Sequence, residues 1–206
     1  MKTKFIPALI LLATFAFTSA QEIQQVPAEQ AGKIARKVTA ALGSPTDAPF
    51  PVEPDLEKPA GIKASGETGL LALPDKKLKA ESLAAAGKEA TPLGHLWMRN
   101  ITLAVNSVAP DPAKLRVVGV ADGDKEVKVD LYYLGVTKGE SGALDVGIFG
   151  KGKEPLVKVP LVKTDAAASS TPIALDGHKE GENTGVLVIT VFGSYKADVT
   201  VTKPRE

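Results

Sequence analysis

The chain contains no cysteine. That excludes disulfide staples, thiolate metal centres, a cysteine nucleophile and the lipid-bearing cysteine of a bacterial lipoprotein. Histidine is almost missing too, with 2 in 206 residues, His95 and His178. A zinc centre draws several ligands from histidine, cysteine and carboxylate, so neither histidine has the company it would need. Aromatic residues make up 5% of the chain, poor provision for a sugar-binding cleft. An excess of one charge is also lacking. The 25 basic and 24 acidic side chains give no electrostatic reason to expect nucleic acid or an anionic membrane as partner. No G-x-S-x-G elbow occurs, and Gly150-Lys151-Gly152-Lys153 lacks the spacing and following helix of a phosphate loop.

What is present begins at the amino terminus. Lys2 and Lys4 precede an apolar run over 5–17, and Thr18-Ser19-Ala20 places small residues where a signal peptidase cuts. Residues 1–20 are thus expected to be a secretory signal peptide, with a core too short to act as a membrane span. The chain is expected to be secreted or periplasmic. A cysteine-free exported protein suits a bacterial envelope better than an animal secretory route.

Three stretches follow. Residues 21–43 read as a helix, with Pro27 at its start, Gly43 just past its end, and Ala31, Ile34, Val38, Ala41 and Leu42 at helical spacing. This stripe is thin and alanine-rich, and such a helix is marginal unless it packs on something. Residues 44–65 hold Pro45, Pro49, Pro51, Pro54 and Pro59 and read as a linker, or as an extended arm crossing the domain surface. Residues 66–206 alternate as strands, apart from a short helix predicted over 76–86 behind Asp75.

Strands are expected over 69–73, 96–105, 114–121, 126–136, 144–149, 156–162, 171–175, 186–192 and 195–202. Asp122-Gly123-Asp124 marks a hairpin, because Asp-Gly tolerates positive φ. After it, Val127, Val129, Leu131 and Tyr133 share one face, while Glu126, Lys128, Asp130 and Tyr132 share the other, predicting a half-buried strand. The fold class is therefore mainly β: an antiparallel β-sandwich, immunoglobulin-like or jelly-roll-like, with an N-terminal helix and an extended proline-rich arm. A closed barrel is the alternative. In architecture alone this resembles exported bacterial β-sandwich proteins, many of which are accessory modules.

Candidate ligand-binding residues are Trp97, Tyr132 and His95. Tyr132 falls on the charged face of its strand, Trp97 could stack on a ligand if its strand lies at an edge, and His95 is its near neighbour. Asp122, Asp124 and Glu126 alternate like the start of a calcium loop, but hairpin chemistry already accounts for them. The acidic stretch 176–182, containing His178, reads as a loop between strands. No catalytic residue, metal ligand or cofactor is predicted. The expected role is a non-enzymatic binding or structural module of the bacterial cell envelope, contacting an envelope protein or a surface polysaccharide. The alternatives are a hydrolase acting through acidic residues, with or without a metal, and a carrier of a small ligand.

Overall fold

The computed structural model describes residues 23–64 and 67–204. The expected signal peptide, residues 1–20, and the expected arm boundary at Ser65 and Gly66 lie outside the described residues. The chain opens with β1 (Gln24–Gln25), helix α1 (Ala28–Leu42), β2 (Ala60–Lys63), β3 (Gly69–Pro74), the short helix α2 (Ala80–Ala84) and β4 (Thr91–Arg99). There follow β5 (Thr102–Leu103), β6 (Arg116–Asp122), β7 (Lys125–Lys138), β8 (Leu144–Phe149) and β9 (Val157–Pro160). Last come β10 (Val162–Lys163), β11 (Ile173–Lys179), β12 (Thr184–Val191) and β13 (Tyr195–Thr202).

These strands form two antiparallel sheets packed face to face, a β-sandwich. The first runs β1-β2-β3-β4-β7-β8-β9, and β6 also pairs with β7. β7 is its spine. One edge takes β4, and the other takes β6 along Lys125–Leu131 and β8 along Tyr133–Lys138, end to end. The second sheet runs β10-β13-β12-β11, and β5 joins β10 on the free edge of β13. The hairpin between β6 and β7 forms as its turn residues demand: Asp122 pairs with Lys125, and Gly123 takes φ 65°.

The half-buried expectation for 126–136 needs correction. Polar and apolar residues do alternate over the first part of β7, where β6 is its partner. Beyond Asp130 both faces are covered, and Leu131, Tyr132, Tyr133, Leu134 and Val136 are all buried. The even positions Tyr132, Leu134 and Val136 pack between the sheets. The odd positions Leu131 and Tyr133 pack on the outer face, beneath α1 and the arm. Alternation reports a solvated face only where nothing lies on it, and the second sheet covers only part of β7.

Two expected strands break where the chain changes sheets. The run 96–105 ends at Arg99. Asn100 adopts φ 55°, and Thr102–Leu103 then pairs with β13, so Trp97 and Leu103 belong to different cores. The run 156–162 divides at the buried Leu161, with β9 in one sheet and β10 in the other. The helix expected over 76–86 shortens to α2, whose Leu83 plugs one end of the space between the sheets.

The proline-rich segment lies on the outer face of the first sheet. Ala48, Phe50, Val52 and Leu56 pack beside the buried Ala31, Ala35 and Val38 of α1. The Phe50 ring stands edge-on to Tyr133 and Phe149, at 6.0 Å and 5.1 Å between centroids. It fits because its floor is Gly135, paired across the strands with Gly147. A Cβ at Gly135 would come within 2.9 Å of the ring. The end of this stretch is no linker, since Ala60–Lys63 is strand β2.

Asp75 fastens the arm to the sheet. The Glu53 backbone N–H donates to its Oδ2 and the Lys77 N–H to its Oδ1, both at 2.8 Å, and the carboxylate is buried. Hydrogen bonds to a charged group contribute about 1.5–3 kcal/mol each. Asp75→Ala should therefore cost about 3 kcal/mol in urea unfolding, and Asp75→Asn, which keeps one acceptor, about half as much. A change below about 0.5 kcal/mol for the alanine variant would mean the arm is held by packing and by its main-chain hydrogen bonds to Pro74 and Lys76, without the carboxylate.

Candidate functional site

His95 and Trp97 sit at alternate positions of β4, so their side chains share the outer face. Across the ladder His95 faces Tyr133 and Trp97 faces Leu131. Arg116 enters from β6, opposite Leu131 on the other edge of β7. The His95 ring meets Tyr133 and Trp97 edge-on, with centroids 4.8 Å and 6.2 Å apart. The Arg116 guanidinium lies 5.9 Å above the Tyr133 ring and donates through Nη2 to Asp47 Oδ1 of the arm, at 2.5 Å.

Packing in this cluster comes at the expense of hydrogen bonding. Both His95 ring nitrogens, Trp97 Nε1, Tyr133 Oη, Arg116 Nε and Thr39 Oγ1 are buried with no partner among the described residues. Burial, with Arg116 adding a like charge, lowers the His95 pKa to about 4, so the imidazole is neutral. Burial likewise raises the Tyr133 phenol, and the Arg116 hydrogen bond holds the Asp47 carboxyl below its ordinary range. Among the described residues no carboxylate is hydrogen-bonded to His95. The chemistry is that of a core.

Tyr132 is elsewhere. It projects from the opposite face of the sheet, and its hydroxyl donates to Asp130 Oδ2 at 3.3 Å. The contact with Thr102 Oγ1, at 2.6 Å, then has Thr102 as donor, tying β7 to β5 of the second sheet. Burial raises the Tyr132 phenol well above its ordinary value. So His95 and Trp97 meet and Tyr132 does not join them. At 3%, 2% and 0% exposure, none of the three presents a ring to solvent. Tyr132 lost its expected solvated face to the second sheet.

Of the acidic stretches, Asp122 pairs with Arg99 at 3.2 Å beside the hairpin turn. The expected loop 176–182 is also corrected: through Lys179 it is strand β11, in register with β12. Among the described residues, no group of three or more His, Asp or Glu side chains is placed to hold a metal ion. No described helix is long and apolar enough to cross a membrane.

The open end of the sandwich, opposite α2, holds a cavity of about 150 Å³. Ile23, Ile62, Leu70, Ile101, Leu187 and Val201 from both sheets and their connections form its apolar floor. Lys63, His178, Lys179, Glu182, Asn183 and Lys203 stand around its mouth. A second, wider groove of about 700 Å³ runs beside α1 over Leu71, Trp97, Val120 and Val129. Its rim mixes Lys33 and Lys37 with Glu67 and Asp122. Neither space is lined by His95, Tyr133 or Arg116.

The chain matches no protein-family model, no curated protein and no solved structure. The functional reading rests on its own residues. Sequence reasoning missed the cavity because its floor comes from separate segments that each read as ordinary core. The one available signal was the polar stretch containing His178, which does stand at the mouth.

The buried imidazole has a measurable consequence. His95 stays neutral in the fold down to about pH 4, while an unfolded histidine protonates near 6.5. Between those values the unfolded chain binds more protons, so stability falls as pH drops through the window and levels off below it. The loss approaches about 3 kcal/mol. Urea unfolding at pH 7 and pH 4 should show it as a difference from His95→Phe, which lacks the titrating group but shares the other carboxylates. Equal pH dependence in the two proteins would contradict this.

Proposed function

We propose that the protein is an exported, non-catalytic binding module of the bacterial cell envelope that takes a small apolar group into the open end of its sandwich. The observation that carries this is the cavity between the sheets, apolar at the floor and polar at the mouth. Ligand sites commonly have that construction, apolar walls for affinity and a few polar groups for orientation. Its titratable side chains, His178 and Glu182 among them, are exposed and make no hydrogen bond to one another among the described residues, whereas acid–base catalysis relies on groups held in a fixed mutual geometry.

This reading is preferred to a polysaccharide or a partner groove for two reasons. Stacking on sugars needs an exposed aromatic face, and Trp97 and Tyr132 are buried. A helix offered to a partner needs a free apolar stripe, and α1 spends Ala31, Ala35 and Val38 on its own sheet.

Toluene is a suitable neutral probe, because an apolar cavity of this size is known to take up benzene. Titration followed by NMR should give saturable shifts at the amides of Leu70, Leu187 and Val201. Ile101→Phe and Val201→Phe fill the space from different sides, and either variant, once shown to melt cooperatively, should abolish the shifts. Shifts that never saturate, or that survive in both filled variants, would remove the basis for the reading.

A further inference from the structure

We infer that the ligand of the end cavity is a small anionic amphiphile: a short acyl chain or single ring in the floor, with a carboxylate at the mouth. This rests on the reading of the cavity as a binding site and adds the chemistry of its occupant. Lys63 closes β2, Lys179 closes β11, and Lys203 follows β13. Three segments distant in sequence thus bring ammonium groups to one opening. Glu182 is the one carboxylate among the described residues that line it. In a chain with 25 basic and 24 acidic side chains, this is a local excess.

None of these three lysines forms an ion pair among the described residues, so each ammonium is left to meet a ligand's charge. Beside Lys179 in the chain, Glu180 and Glu182 stand on the exposed turn between β11 and β12 and make no salt bridge among the described residues. Lysine suits a rim of this kind, since its stem can lie along apolar surface while the ammonium stays in water. Asn183 adds an amide at the same mouth.

The volume sets the size of the apolar part. At about 150 Å³ the space corresponds to a cavity that accepts one benzene ring, so a tail of about six to eight carbons fills it. A diacyl lipid would leave most of its hydrocarbon outside. The occupant is therefore a free amphiphile rather than a membrane surface.

Octanoate, octanol and octylamine, each kept below its micelle or solubility limit, separate the contributions of tail and head. Octanoate should bind saturably and about tenfold more tightly than octanol at low salt, with octylamine weakest, and the preference should shrink in high salt. From butanoate to octanoate, each added methylene should tighten binding about fourfold. Combined Lys63→Gln, Lys179→Gln and Lys203→Gln should bring octanoate to the level of octanol and leave octanol unchanged. These are exposed positions, so the variant should fold. If octanol and octanoate bind equally, the anionic head is wrong and the cavity still binds. If no C8 probe and no toluene binds, the reading of the cavity falls as well. Binding to phosphatidylglycerol vesicles without saturable octanoate uptake would overturn the free-ligand inference in favour of a membrane surface.

Discussion

The rest of the structure depends on β7 being buried on both faces. From Leu131 to Leu134 it presents large side chains alternately up and down, and Phe50 of the arm fills the space over Gly135. Each such side chain, left in water, would forfeit about 1.5–3 kcal/mol. One covering is the second sheet. The other comes from the part of the chain between β1 and β2, and that explains the helix and the proline-rich arm together. An isolated helix of 15 residues with an alanine stripe is marginal in water. Laid against β6, β2 and β3, it completes the outer core that Leu131, Tyr133 and Trp97 share. The arm is extended because proline permits little else, and an extended chain carrying Phe50 and Val52 makes a thin, continuous cover.

The two coverings differ in quality. Between the sheets the polar group that is buried is also bonded: Thr102, Tyr132 and Asp130 form a chain across the interface. Under the helix and arm, His95, Trp97 and Tyr133 pack by ring geometry and leave their polar atoms unpaired. An unsatisfied buried donor or acceptor costs about 1–3 kcal/mol. The outer layer therefore carries an unsatisfied polar cost, and besides its packing it is tied down by Asp75 on the arm backbone, by backbone hydrogen bonds between the arm and Pro74–Lys76, and by Arg116 on Asp47. The proposed binding end lies outside this layer, where the sheets separate and no described helix closes them.

Legibility followed the range of the interactions. The 122–125 hairpin and strand β13 were readable because turn chemistry and two-residue alternation act between near neighbours. The strand breaks at Asn100 and Leu161 were not, because nothing local distinguishes a strand that continues from one that crosses to another sheet. Tyr132 was misplaced for a related reason: it follows Glu126, Lys128 and Asp130 in phase, and only the position of the second sheet separates it from them. Of the three candidate site residues, two do meet, but in a core. The cavity was invisible, since Ile62, Leu70, Leu187 and Val201 look like any buried residue until the ends of their strands are seen together.

The sequence by itself determined the composition of the parts: a leader pattern, a helix with proline before and glycine after it, an extended arm, and strands with their turns. It also ruled out disulfides and cysteine chemistry, and displayed no metal-binding or catalytic motif. Only the tertiary structure decided which faces are wet. Alternation states that two faces differ, while burial depends on what packs there. That is why Tyr132 and His95 went inside, and why three lysines far apart in the chain share the mouth of one apolar cavity.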